Sequence, residues 1–221
     1  MRIILYGASG MVGQGALREC LLDPQVTEVL SVSRRPLGRP HEKLREVVLP
    51  DVGDLTAVED RLRGYDGCFW CLGVSSVRMP EADYRRVTYD LTVAAAQTLA
   101  KVSPGLTFVY VSGAGTDSTE HGRVRWARVK GQTENALLRM PFKAAYMFRP
   151  GFIYPLHGIR TRGSGGRVGY AILRPFLFLL RLVAPNSMTS TELVGRAMIA
   201  VVRGGAPKPL LGNRDINALG A

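Results

Sequence analysis

The sequence predicts an α/β fold: a doubly wound, mostly parallel sheet with helices on both faces and a small helical region at the C-terminal end. Three observations predict it. The apolar run Arg2–Tyr6 leads straight into glycines at 7, 10 and 13 and then into residues of helical spacing. Short apolar runs and helix-period segments alternate through the following stretch with short connections, the pattern of a parallel sheet. One of those runs, Gly67–Leu72, is apolar throughout, as a strand covered on both faces must be. With 221 residues, 46% of them hydrophobic, and mean hydropathy +0.05, the chain is long enough to bury such a sheet. It reads as one domain, 1–221, in which 155–221 form a reduced C-terminal extension.

Each element follows from local signals. Ile3, Ile4 and Leu5 give the first strand its branched apolar core, and Val12, Ala16 and Cys20, with Leu17 and Leu21 alongside, repeat as one helix face. Asp23-Pro24 marks a turn and Val26–Ser33 reads as the second strand. After the Pro36–Pro40 loop comes a third strand, Leu44–Leu49; Asp54 then suits the N-cap of a short helix through Arg63. Gly67–Leu72 is the fourth strand and ends at Gly73. Pro80 and Glu81 open one long helix in which Tyr84, Val87, Leu91, Ala94, Ala95 and Val102 keep helical spacing, and Pro104-Gly105 ends it.

Leu106–Val111 is the fifth strand, closing at Ser112-Gly113-Ala114-Gly115. A helix from about Val124 to Met140 carries Trp126, Lys130 and Glu134 one turn apart, and Lys143–Phe148 is the sixth strand. From His157 the character changes. Val168–Ala184 is strongly apolar, with Arg167, Arg174 and Arg181 near one face. It is too short and too charged for a membrane span; it reads as a helix packed over the cleft, with contact to a membrane surface as the alternative. Thr189-Ser190-Thr191-Glu192 reads as a capping box for a last helix through Val202, and Leu210-Leu211 as an edge strand. Right-handed crossovers between parallel strands gather the loops after the strands along one edge, where ligands of such sheets bind.

Composition narrows the function classes. The net charge of +11 is unevenly spread: residues 121–221 hold 16 Lys and Arg against 3 Asp and Glu. The excess is mostly arginine without a dense basic block, and no nucleic-acid fold signature accompanies it, so an anionic small molecule is a better partner than nucleic acid. Three cysteines, Cys20, Cys68 and Cys71, give no disulfide framework and no secretory leader is apparent, which together favour the cytoplasm. Cys68 and Cys71 are three apart in a strand and point to opposite faces, which argues against a shared metal. No metal site is expected, and the oligomeric state is not legible.

The glycines carry the chemistry. Gly7 permits a tight turn, Gly10 lets backbone approach a pyrophosphate, and Gly13 lets the helix pack against the strand. The phosphates would sit on the free N–H groups and positive dipole end of that helix. The spacing G-x-x-G-x-x-G is a partial match to the dinucleotide motif. Where an NAD site carries an acidic residue, at the end of the second strand, this chain has Ser33-Arg34-Arg35. Guanidinium pairs with phosphate in a fork, so NADP(H) is preferred to NAD(H).

With these residues in place, the chain resembles the extended and atypical short-chain dehydrogenase/reductase superfamily, of Rossmann fold. Within it the Tat-interacting-protein-like and NmrA-like oxidoreductase branch is the nearest match. The resemblance rests on G-A-S-G-M-V-G at 7–13, S-R-R at 33–35, C-L-G at 71–73, V-S-G-A at 111–114, V-K-G at 129–131 and F-R-P-G at 148–151. It implies that Gly7, Ser9, Gly10, Met11, Val12 and Gly13 cradle the pyrophosphate and that Arg34 and Arg35 hold the 2′-phosphate. Asp51 and Val52 would border the adenine, and Leu72 and Gly73 the adjoining ribose. Ser112 matches the serine that hydrogen-bonds a substrate carbonyl, Lys130 the lysine that holds the nicotinamide ribose, and Pro150, Gly151, Phe152 and Ile153 the segment flanking the carboxamide. The tyrosine four residues before that lysine is replaced by Trp126, whose indole donates a hydrogen bond but does not titrate in the working range. Trp126 either stacks on a ligand or fills core. In the long helix, Thr88 stands where the family has asparagine.

Three functions compete. The first is an NADP(H)-dependent reductase of a small carbonyl or enone, with Ser112 and Lys130 as polarising and orienting groups and the proton from water or from Tyr154, Tyr84 or His121. The second is a non-catalytic NADP(H)-binding regulator. The third is an epimerase-like enzyme acting on a nucleoside-diphosphate sugar, for which the region after Tyr154 is short.

Overall fold

A computed structural model describes residues 1–159 and 187–221. The expected apolar helix over Val168–Ala184 lies outside the described residues. Among those described, the order is β1 (Arg2–Tyr6), α1 (Met11–Leu22), β2 (Glu28–Ser33), β3 (Leu44–Val48), a 3₁₀ segment (Thr56–Leu62) and β4 (Gly67–Trp70). Then come α2 (Glu81–Arg85), a π-helical segment (Arg86–Asp90), α3 (Leu91–Val102), β5 (Thr107–Val111), α4 (Arg125–Leu138), β6 (Ala144–Arg149) and β7 (Phe152–Tyr154). The chain closes with β8 (Met188–Ser190), α5 (Thr191–Gly204), β9 (Leu210–Gly212) and α6 (Asn213–Gly220).

Seven strands form one sheet in the order β3-β2-β1-β4-β5-β6-β9, and every neighbouring pair is parallel. The order reverses between β1 and β4, which places a crevice at the carboxyl ends of those strands. Period-2 alternation along each strand feeds two cores. Ile3, Leu5, Phe69, Val109 and Phe148 pack towards Ala16 and Cys20 of α1 and Val194 and Met198 of α5. Ile4, Tyr6, Trp70, Phe108 and Tyr110 pack towards Ala95 and Leu99 of α3 and Leu137 of α4. Tyr6 stacks on Trp70 with ring centroids 4.2 Å apart, so the aromatic floor runs up to the glycine turn. Cys68 lies in the second core and Cys71 against the first, on opposite faces as their spacing requires.

Several local expectations shift. The segment expected as a helix through Arg63 winds as 3₁₀, because the Asp54 carboxylate accepts from both the N–H and the hydroxyl of Thr56 and starts a tighter turn. The long helix contains the π-helical segment Arg86–Asp90. There the Thr88 carbonyl accepts the Thr92 hydroxyl at 2.8 Å, and the Thr133 hydroxyl of α4, which donates to Val129 O at 2.8 Å, stands 3.4 Å from the same carbonyl. The cap of α5 is Ser190 rather than Thr189: its Oγ accepts from the Leu193 N–H, while Glu192 pairs with Arg196 and His157. The strands β7 and β8, paired in parallel, and the short helix α6 have no counterpart in the sequence expectation.

Candidate functional site

The glycine turn between β1 and α1 is built by contact as much as by conformation. Gly7 has φ +75°, and a β-carbon there would stand 2.6 Å from the Cys71 carbonyl, so β1 and β4 meet at that residue without room for a side chain. A β-carbon on Gly13 would stand 2.1 Å from the Gly7 carbonyl oxygen, which fixes α1 tightly on the turn. Gly10 is the N-cap of α1, donates its N–H to Gly7 O at 2.8 Å, and supplies no side-chain cap. No acidic residue sits in the first turn. The first N–H groups of α1 are therefore left to an external anion.

Two depressions meet at this turn. One, of about 650 Å³, is lined by Gly7, Ser9, Val32, Arg34, Arg35, Arg39, Val52 and Leu72 among others. Its rim is basic: Arg34, Arg35 and Arg39 are exposed and make no ion pair or side-chain hydrogen bond among the described residues. The Ser33 hydroxyl donates to the Arg35 carbonyl at 2.7 Å and holds the turn that presents them. The other depression, about 600 Å³, lies across the turn and is lined by Gly10, Met11, Val12, Cys71, Leu72, Gly73, Ser112, Gly113, Lys130, Pro150, Gly151 and Ile153 among others. Leu72 borders both.

In the second depression Ser112 and Lys130 come from different elements. Ser112 follows β5, where its N–H donates to Phe148 O at 2.8 Å. Its Oγ lies 2.8 Å from Thr116 Oγ1, which itself donates to Gly113 O, so the Ser112 proton points to Thr116. Lys130, on α4, donates to Val111 O at 3.3 Å and stands 5.2 Å from the Tyr110 ring centre. Burial lowers its pKa to about 8, partly opposed by Glu134 one turn further on. The fully buried Glu134 is itself committed to Arg149, which also donates to Ser118. Gly131, next to Lys130, is crossed by the loop after β5: a β-carbon there would fall 1.7 Å from Asp117 O. Burial pushes the Cys71 thiol up to about 12.

Most of the sequence-selected residues therefore gather at the two depressions, and four do not: Gly13, which packs under the turn against Gly7, and Asp51, Phe152 and Trp126. The exposed Asp51 turns its carboxylate to the Gly53 N–H at 2.8 Å and lines neither depression, although Val52 lines the first. Phe152 lines neither, in contrast to Ile153. Trp126 lines a separate, smaller hollow with Tyr84, Met79, Arg123 and Arg125. The benzo edge of its indole rests behind Gly113 and Gly115, at 3.9 and 3.6 Å from β-carbons built there. Sequence reasoning missed Arg39, whose signal was a third arginine in the same loop beyond Gly38 (φ +67°). It also missed Asn213, whose Oδ1 accepts the Gly151 N–H at 3.0 Å and braces that segment.

No protein-family model matches the chain. Among curated proteins, it is 30% identical over 145 residues to the leucinostatins biosynthesis cluster protein T of Purpureocillium lilacinum, covering 63% of this chain and 52% of that one. It thus spans about half the length of that relative. It is 29% identical over 178 residues to protein FMP52, mitochondrial, of Saccharomyces cerevisiae (78% and 74% covered). It is 28% identical over 153 residues to protein HTATIP2 of Rattus norvegicus (68% and 62%). Among solved structures, MoeE5 in complex with UDP-glucuronic acid and NAD superposes with TM-score 0.67 at 18% identity, over 96% of this chain and 75% of that one. The Bordetella bronchiseptica enzyme WbmF in complex with NAD+ gives 0.67 at 17%, over 99% and 76%.

Proposed function

We propose that the chain is a member of the extended short-chain dehydrogenase/reductase superfamily, on the Tat-interacting-protein-like branch, and an NADP(H)-dependent reductase of a small carbonyl or enone; its sequence relatives and its fold support this reading. The observation that carries the reading is the juxtaposition of two depressions across one capless helix N-terminus. The unsatisfied N–H groups of α1 suit a pyrophosphate. Arg34, Arg35 and Arg39, unpaired among the described residues, suit a 2′-phosphate, which NAD(H) lacks. When bound, the nicotinamide supplies a hydride. The chain's own residues do the rest: Gly10 to Val12 hold the diphosphate, Lys130, Pro150, Gly151 and Ile153 border the reacting end, and Ser112, its proton turned to Thr116, lines the same depression.

The test is a fluorescence titration of both coenzymes. NADPH is expected to bind at least about tenfold tighter than NADH, a difference of about 1.4 kcal/mol. Equal affinities would remove the role given to the arginines. A second reading, a regulator that binds NADP(H) without turnover, draws on Trp126 at the position of the family tyrosine, since an indole N–H donates a hydrogen bond but does not titrate in the working range. Depletion of NADPH by quinones, aldehydes or enones separates the two.

A further inference from the structure

Resting on the reductase reading, we propose that Lys130 is the proton donor of the reaction, its ammonium protonating the substrate oxygen as hydride reaches the neighbouring carbon. The geometry eliminates the other side-chain candidates one by one. Tyr84, Trp126, His121 and Tyr154 do not line the depression that holds Ser112. The protic side chains that do line it, among the described residues, are Cys71, Ser112 and Lys130. Ser112 directs its proton to Thr116, and the Cys71 thiol is a much weaker acid there than in water.

Lys130 is placed for the task. Its ammonium reaches the carbonyl of Val111, the residue before Ser112, so both side chains serve one strand end. It has three donors, one of which this bond uses, leaving others for a ligand oxygen. No carboxylate pairs with it among the described residues: Glu134, on its own helix, is held by Arg149 of β6. The remaining titratable groups facing it are Tyr110 of β5, under its Nζ, and Cys71 beyond β4. Burial without a counter-ion is what brings an ammonium into the range where it gives up a proton near neutrality.

The step balances. A hydride from NADPH forms the C–H bond, the C=O π pair becomes the O–H pair with a proton from Lys130 Nζ, and NADP+ leaves. Neutral Lys130 then regains its proton from water. In an enone the hydride adds at the β-carbon and the same ammonium protonates the enolate oxygen.

Competitive acetylation of the ligand-free full chain, read lysine by lysine in a mass spectrometer, tests the acid directly. Lys130 is expected to reach half-maximal reactivity near pH 8, about two pH units below the ordinary value for a lysine side chain in water. With NADPH and the best carbonyl of a panel, Lys130→Ala is expected to lower kcat by about 10²–10⁴-fold. Ethylammonium is expected to restore part of it in proportion to the protonated amine, a rescue that a purely structural lysine would not show. Lys130→Arg should keep NADPH binding yet lose the alkaline fall in rate near pH 8. The role is overturned if Lys130 becomes reactive only near the ordinary lysine value, if Lys130→Ala keeps its rate within about threefold, or if a chain that binds NADPH reduces nothing. A chain that binds no NADPH overturns the cofactor reading and this role with it; loss of the role alone leaves NADPH binding intact.

Discussion

A β-carbon on Gly13 would stand 2.1 Å from the carbonyl oxygen of Gly7, whereas one on Gly10 would meet nothing nearer than the same oxygen at 3.3 Å. The two glycines therefore do different work. Gly13→Ala must push α1 away from the turn, and overpacking of this kind costs about 1–3 kcal/mol. Gly10→Ala keeps the packing and places its methyl in the depression, so it should cost no more than about 1 kcal/mol, the difference between these residues at an N-cap. Thermal unfolding with and without NADPH checks both. Gly13→Ala should lower Tm in the free protein, and Gly10→Ala should chiefly erase the shift that NADPH causes.

Arg39 enters the basic rim with Arg34 and Arg35 although it lies beyond Gly38 in the loop. If the three guanidinium groups share one phosphate, Arg39→Ala should weaken NADPH about tenfold, the worth of a charge-assisted hydrogen bond. NADH binding should be untouched. Raising the salt should narrow the gap between wild type and variant, because exposed charges are screened. A variant that loses both coenzymes equally would place Arg39 on the shared pyrophosphate instead.

Glu134 is fully buried and receives the Arg149 guanidinium through both of its oxygens. Glu134→Gln leaves that arginine without its charge partner. Breaking buried pairs typically costs 3–5 kcal/mol, and Arg149 keeps a fifth of its side chain in water, so about 3 kcal/mol is expected. A lowered urea midpoint with an unchanged slope would report it. The same variant removes the negative charge that raises the Lys130 pKa, so the Lys130 midpoint should fall below its present value of about 8.

How much of this was legible follows from where each signal lives. The β1–turn–α1 unit is written in neighbouring residues, Ile3 to Leu5 followed by three glycines, and it appears where the sequence puts it. The alternation of Ile3 and Leu5 with Ile4 and Tyr6 likewise fixes which core each strand face serves. What was hidden depends on partners distant in the chain. Phe152–Tyr154 becomes a strand only because Met188–Ser190 lies beside it, and three-residue strands carry no period of their own. The helix Asn213–Gly220 is anchored by one fully buried side chain, Ile216, and sequence patterning cannot distinguish that from a polar tail. Lys130 and Ser112 were found by motif, yet the Thr116 contact that redirects the Ser112 proton is a tertiary detail.

Lys130 also makes stability depend on pH in a way that separates its burial from its chemistry. Its pKa in the folded chain is about 8, against an ordinary lysine value of 10.5 in the unfolded one. Below pH 8 both states carry the charge, and the folded state bears the full cost of burying it. Between about pH 8 and 10.5 the unfolded chain binds more protons than the folded one, so stability contributed at this residue rises with pH through that window. Lys130→Met removes the term. The variant should therefore be more stable than wild type at pH 7, by at most about 3 kcal/mol, and the advantage should shrink as pH approaches 10. Paired urea titrations at pH 7, 8.5 and 10 measure the difference directly, with the titration of the tyrosines common to both proteins. A constant difference across the series would mean that Lys130 keeps an ordinary proton affinity in the fold.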